Sequence, residues 1–311
     1  MKTKIALLLG GTSKEREVSL NTGNQIYRAL DKTKYEVYRY DPQTDLNKFF
    51  QDALDKKFDL VFPALHGPYG EDGRMQGILD LTGAPYLFSG CLASALAMDK
   101  YKSKIVARDA GLEIIEGIKI SKDNVSDVKK FTEKNGFPVV VKPDQLGSSV
   151  GISIVKNSAE MQKGLELAFS CCEEVLLEKY IKGRELTVTV MGNKNPKVLP
   201  VIEIIPKNAE WFDYKSKYVA GASDEVCPAE IPEKIRKEVQ NKALKAFKAI
   251  GCKDLARADF IWSEKENKIY FLEINTIPGM TATSLVPKSA KAFGMNFENF
   301  IDSLIEDRMK K

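Results

Sequence analysis

The sequence predicts three compact α/β or α+β lobes in one chain. Its 311 residues, at about 150 per domain, ask for two or three cores, and the 43% hydrophobic share can fill them. The first third alternates short apolar runs with helical periods, while the later parts are richer in strands. These shifts of rhythm place the lobes at residues 1–98, 99–182 and 183–311. No long linker, internal repeat or low-complexity tract separates them.

In the first lobe, Ile5–Leu9, Tyr35–Tyr38 and Leu60–Pro63 read as strands, and Glu17–Leu30, Leu46–Leu54 and Arg74–Leu81 as helices. Alternation at these lengths predicts βαβ units and a parallel sheet. The site of such a sheet lies beyond the carboxyl ends of its strands. The loops Gly10–Arg16 and Pro63–Gly73 fall there. A helix at 99–110 leads into the second lobe, where Val139–Val141, Ile152–Val155 and Val175–Glu178 are strand-like and Ala159–Phe169 is helical. The third lobe takes strands Leu186–Met191, Val198–Ile204, Asp259–Trp262 and Ile269–Ile274. Helices at Pro232–Ile250 and Asn296–Asp307 complete it.

Several function classes drop out. No apolar run approaches the ~20 residues that span a bilayer. The short run Ile5–Leu9 ends at Gly10-Gly11 and lacks the features of a signal peptide, so a cytoplasmic protein is expected. The five cysteines include the adjacent pair Cys171-Cys172 but no CxxC, and read as free thiols. With 47 basic and 43 acidic residues the net charge is only +4, and the lysines are scattered, which gives no nucleic-acid footprint. GxxxxGK[ST], GxGxxG, HRD and DFG are all missing. A single histidine, His66, leaves no multi-histidine metal site and no triad built elsewhere.

The richest signal lies near the carboxyl end. In Tyr270–Asn275 a period of two puts Glu273 and Asn275 on one face and Leu272 and Ile274 on the other. Arg257 and Asp259 share a face in the same way, and the polar segment Ser263–Asn267 reads as the turn of a hairpin that sets the two pairs side by side. Two carboxylates and an amide oxygen are hard ligands suited to Mg²⁺, whose remaining partners are commonly substrate phosphates. The same pattern also describes an exposed polar face on an antiparallel pair. Lys142 ends a buried strand ahead of the small-residue loop Leu146–Gly151, whose backbone N–H groups suit a phosphate or an ordinary hairpin loop equally. Glu178–Ile181 and Gly183-Arg184-Glu185 suit either an adenine and ribose site or an interdomain hinge.

Together these segments resemble the ATP-grasp ligases and, among them, the D-alanine–D-alanine ligase family. The likeness runs from Leu9-Gly10-Gly11 to Ser284–Pro287 through GGTSKEREVSLNTG, HGPYGEDG, MDKYKSK, VVVKPDQLGSSVGIS, EKYIKGRELTV, WFDYKSKY, ARADF and LEINTIPGMTATSLVP, in that order. It implies a three-lobed ATP-grasp fold with an N-terminal parallel-sheet (pre-ATP-grasp) domain, and a homodimer. It implies that ATP and two D-alanines are joined through an acyl phosphate to give a peptidoglycan precursor.

The resemblance also implies roles. Lys100 and Lys142 would contact phosphates, Glu178 and Ile181 the adenine, and Glu185 the ribose, with Lys179, Tyr180 and Lys217 completing the ATP set. Asp259, Glu273 and Asn275 would hold two Mg²⁺ ions, for which Mn²⁺ can substitute. Glu15 would hold the first D-alanine's ammonium with His66 beside it, and Ser284 and Leu285 would contact the second. Arg257 and the Gly279 backbone would stabilise the oxyanion. Glu15, Ser148 and Tyr218 form the family's proposed proton relay. Lys217-Tyr218, rather than a histidine there, resembles the dipeptide-forming type instead of the D-lactate type. Ile277 and Ala282-Thr283 depart from the usual pattern and alter packing rather than ligands. The rival readings are another ATP-grasp ligase, disfavoured by the Glu15 loop and Met280–Pro287, and a silent nucleotide-binding module, disfavoured by the intact metal set.

Overall fold

Two glycines and an aspartate set the first turn of the chain. The structure is a computed structural model that describes residues 1–147, 150–207 and 223–310. After β1 (Thr3–Leu8), Gly10 and Gly11 adopt positive φ, and Asp41 accepts from the Gly11 N–H and from Arg16. That geometry aims α1 (Arg16–Ala29) back over the sheet. β2 (Tyr35–Tyr40) and β3 (Leu60–Pro63) flank β1, all parallel, as the sequence predicts. The second helix starts earlier than its apolar period suggests, at Pro42, because Asp41 caps it and proline suits the first helical position.

The middle sheet is antiparallel, ordered β5 (Gly117–Ile120), β8 (Val175–Lys179), β6 (Val139–Pro143) and β7 (Ser153–Val155). The helices Ser126–Asn135 and Ser158–Phe169 pack against the face of Val139, Val141, Val155 and Leu177, opposite the one that carries Lys142 and Glu178. Among the described residues the third sheet has seven strands, built around β9 (Arg184–Met191), β13 (Leu255–Ser263) and β14 (Lys268–Asn275). The expected strand 198–204 divides into β10 (Lys197–Val198) and β11 (Ile202–Pro206). Pro200, which has no N–H to donate to a ladder, lies in the break. β12 (Ser223–Val226) closes one edge.

Three helices have no counterpart in the sequence reading: Cys91–Met98, Ser126–Asn135 and Leu285–Ala292. The first, CLASALAM, is apolar nearly all round and so carries no amphipathic period. It packs with α5 (Lys100–Asp109) on β14 and on the helix Glu233–Ile250, and β4 (Glu113–Ile114) pairs in parallel with β14. Ala93, Ala97, Ala107 and Leu112 thus share a core with Phe260 and Phe271 of the third sheet. The terminal helices return the other way: Val286, Phe300 and Ile301 pack with Ile5, Leu7 and Phe62 of the first sheet. These two exchanges bring all three sheets around one cleft.

The outer core of the first lobe rests on an aromatic trio. Phe49 is fully buried and stacks on Phe58 with ring centroids 5.7 Å apart, edge-on to Tyr40. Phe49→Ala should destabilise this lobe by ~3–5 kcal/mol through lost burial and the cavity left behind. Chemical denaturation followed by tyrosine fluorescence reads this directly, and a loss under about 1 kcal/mol would show that the site collapses freely.

Candidate active site

The cleft between the sheets has a volume of about 700 Å³. Its floor is the β13–β14 hairpin. The register sets Arg257 opposite Asn275 and Asp259 opposite Glu273, so both pairs lie side by side as the strand period predicts. One expectation fails here. Leu272 lines the cleft together with Glu273 instead of packing on the far face, while Ile274 is buried as expected. The cause is a bulge: the register shifts between Asp259 and Phe260, Phe260 pairs with Phe271, and Leu272 is the extra residue.

Arg257 forks onto Asp259, with Nη2 donating at 2.8 Å and Nε at 3.0 Å. Burial works against its charge, but Asp259, and further off Glu273 and Glu71, hold its pKa above the ordinary value. The Thr187 hydroxyl on β9 also donates to Asp259. Asn275 Oδ1 accepts the Ile277 N–H at 2.9 Å, which fixes its amide plane. Lys100, buried on α5, donates to the Leu146 carbonyl at 2.6 Å and stands 3.6 Å from Glu273.

A second charged group lies on the wall formed by the middle sheet. Glu178 is buried between two lysines: Lys142 Nζ sits 2.7 Å from its Oε2, and Lys104 Nζ pairs with Oε1. Burial opposes ionisation of Glu178, yet the two ammonium groups outweigh it and keep its pKa below the usual carboxylate range. Burial pushes the Lys104 ammonium down to about 8 against the pull of Glu178. Lys179, Tyr180 and Ile181 continue along the cleft from this wall, and Glu185 faces it from β9 of the third sheet. Ile115, Ile181 and Tyr270 form a small apolar cluster with Leu272 and Ile261 packed against it.

The first lobe contributes the opposite rim. Glu15 follows β1 and lies against the loop after β3 so closely that a Cβ on Gly67 would stand 2.5 Å from its Oε2. Gly67 also has a φ of +76°, so no other residue suits the position. His66 is buried, with Nε2 2.9 Å from the Thr22 hydroxyl and Nδ1 3.8 Å from Glu71. Gly279, Ser284 and Leu285 close the end of the cleft, and Ser284 Oγ accepts the Thr281 N–H at 3.0 Å. Ile277 is buried in the core shared with the first sheet. Ser148, Lys217 and Tyr218 lie outside the described residues.

The sequence reading missed several cleft residues. Val18, Asn21, Gln25 and Arg28 present one face of α1 to it, a face that helical spacing from Glu15 reveals. Lys104 lies four residues after Lys100 and so on the same side of α5. Leu272 had no signal, because a bulge leaves no trace in a period of two.

Hard oxygen donors from two adjacent strands, cationic side chains on two walls and a separate carboxylate rim are the arrangement expected of the ATP-grasp ligases that the sequence resembles. Family models agree. That for the D-ala D-ala ligase C-terminus matches residues 106–306, and that for the D-ala D-ala ligase N-terminus matches 4–49 and 39–91. The chain is 46% identical to the D-alanine–D-alanine ligase of Syntrophobacter fumaroxidans over 98% of its own length and 97% of the relative's. It is 45% identical to that of Desulfotalea psychrophila, over 100% and 96%. The solved structure of the Bacillus anthracis D-alanine–D-alanine ligase complexed with ATP superposes with a TM-score of 0.85 at 37% identity, covering 100% of this chain and 98% of that one. The VanG D-Ala:D-Ser ligase of Enterococcus faecalis also scores 0.85, at 31% identity over 99% and 100%. The chain belongs to the D-alanine–D-alanine ligase family.

The buried Lys–Glu–Lys group makes a stability prediction. Glu178→Gln leaves two ammonium groups in a dry site without a counter-charge and should cost about 3 kcal/mol. Denaturant titration against the parent protein measures it, and an unchanged midpoint would mean that water reaches the group.

Proposed function

We propose that this chain joins two D-alanines at the expense of ATP, through an acyl phosphate, to supply a peptidoglycan precursor. One observation carries the reading. The Asp259–Glu273 and Arg257–Asn275 pairs face the same cleft as Glu15 and His66, which supports a nucleotide and an amino acid meeting in one space. The relatives named D-alanine–D-alanine ligase match over nearly the whole chain. No described helix is long and apolar enough to cross a membrane, in keeping with a cytoplasmic enzyme. The chain would act as a homodimer, as the resemblance implies, with lobes at 1–98, 99–182 and 183–311.

ATP would lie between the middle and third sheets. Lys142 and Lys100 would meet its phosphates, and Glu185 its ribose. Lys179, Tyr180 and Ile181 would border the base against the apolar wall at Leu272, where Glu178 keeps lone pairs for the exocyclic amine. Lys217 would complete the nucleotide set. Among the described residues no three His, Cys, Asp or Glu side chains cluster as metal ligands, but two carboxylates and an amide oxygen stand together. Asp259, Glu273 and Asn275 therefore fit Mg²⁺ or Mn²⁺ as a partial shell that phosphate oxygens complete, and two ions would share it. Such ions neutralise charge on the transferring phosphoryl group.

The first D-alanine carboxylate attacks the γ-phosphorus, the bond to the β–γ bridging oxygen breaks and ADP leaves, while Glu15, with His66 beside it, anchors that substrate's ammonium. The second amine, held near Ser284 and Leu285, then attacks the acyl carbonyl and expels phosphate. Arg257 and the Gly279 N–H oppose charge on the carbonyl oxygen. Glu15, Ser148 and Tyr218 would carry the proton from the incoming ammonium. No side chain becomes a nucleophile, and positioning supplies much of the rate.

Phosphate release from ATP and Mg²⁺, measured with D-alanine, L-alanine, D-serine and D-lactate in turn, tests the substrates. The expected result is release with D-alanine and accumulation of D-alanyl-D-alanine. Release with L-alanine and none with D-alanine overturns the reading. Glu273→Ala should abolish turnover, by about 10³-fold or more, while circular dichroism and melting stay close to the parent. Near-normal activity in that variant would remove Glu273 from the metal site.

A further inference from the structure

Lys104 is the one member of the buried Lys–Glu–Lys group to which neither the sequence pattern nor the family resemblance gives a task. It is 3% exposed, sits on α5 one turn after Lys100, and pairs with Oε1 of Glu178, whose Oε2 holds Lys142 at 2.7 Å. A lysine at this depth is rare and costs desolvation, and an aliphatic side chain would fill the same space. Its presence therefore needs an electrostatic reason.

Counting charges supplies one. Lys104 and Lys142 against Glu178 leave a net +1 beside the cleft. Without Lys104 the sum is zero, and the single carboxylate is matched by Lys142 alone. The lysine that faces the cleft would then be neutralised by its own neighbour. With Lys104 present, Glu178 stays compensated from behind, and the charge of Lys142 remains available to an anion entering in front.

We propose that Lys104 is a positioning residue for the nucleotide: it occupies Glu178 from the protein interior so that Lys142 can transfer its charge to a phosphate. The cleft face of Lys142 is the working group, and Lys104 acts only through Glu178. This rests on the ATP reading above. The charged groups around Lys104 come from each packed element: Glu178 on β8, Lys142 on β6, Glu273 on β14, and Lys100 on its own helix.

The test is a charge-matched pair of variants, K104M and K104M/E178Q, in the full-length protein with ATP as the probe. Removing Lys104 takes the net charge from +1 to zero, and adding E178Q returns it to +1. K104M should raise KM for ATP about tenfold with kcat changed less than about twofold, the signature of lost ground-state binding. K104M/E178Q should bring KM back to within about threefold of the parent, because the amide introduced by E178Q keeps an oxygen that accepts from the exocyclic amine and additivity fails for residues in one network. A purely structural lysine makes the opposite prediction: the double variant binds ATP no better than K104M, whatever its melting temperature. That outcome, or an unchanged KM in K104M, overturns the proposal. If K104M does not fold, binding of inorganic triphosphate by E178Q decides, since that probe has no base to lose a contact with Glu178: tighter binding supports the charge argument, and weaker or equal binding overturns it. A parent protein that fails to bind ATP at all is a different result and overturns the ATP reading instead.

Discussion

The cleft depends on the register of one hairpin. Because side chains alternate along a strand, a slip of one residue of β14 against β13 would turn Glu273 and Asn275 into the core, away from Arg257 and Asp259. Nothing in the short turn at 264–267 is strong enough to prevent that alone. The register is held instead by what lies beneath: Phe260, Phe271 and Ile274 are buried among alanines of the helices 91–98 and 233–250. Burial of these side chains on one face fixes the polar face on the other. β9 adds to this, since its pairing with β13 places Thr187 beside Asp259.

The bulge at Leu272 refines that arrangement. It lets two successive residues, one apolar and one acidic, face the cleft. Leu272 joins Ile115 and Ile181 in a dry wall, and Glu273 stands next to it toward Lys100. A flat base and a charged triphosphate need such unlike surfaces a few ångströms apart. A regular strand would separate them by a full pleat.

Charge is distributed with the same economy. Two carboxylates of the cleft hold more than one partner: Glu178 has Lys104 and Lys142, and Asp259 has Arg257 and Thr187. The two exchanges of helices among the lobes make this three-dimensional. α5 turns Lys100, Lys104 and Ala107 to one buried face, with Lys100 reaching Glu273 and Ala107 packing in the core under β14, so these cations ride on the same body as the hairpin.

Much of this was legible in the residues. The parallel first sheet followed from alternating periods, and the cross-strand pairs followed from a period of two on either side of a polar turn. What stayed hidden has physical causes. CLASALAM has no polar face to betray a helix, a bulge leaves no mark on alternation, and Lys104 is ordinary in sequence because only tertiary structure buries it. Pro200 split a strand whose apolar run looked continuous. The central claim concerns how the cleft activates a carboxylate, and an isotope reads it most directly. With D-alanine labelled with oxygen-18 in its carboxylate, the account predicts label in the released phosphate, one labelled oxygen for each dipeptide formed. Unlabelled phosphate, or label carried into AMP, would contradict it.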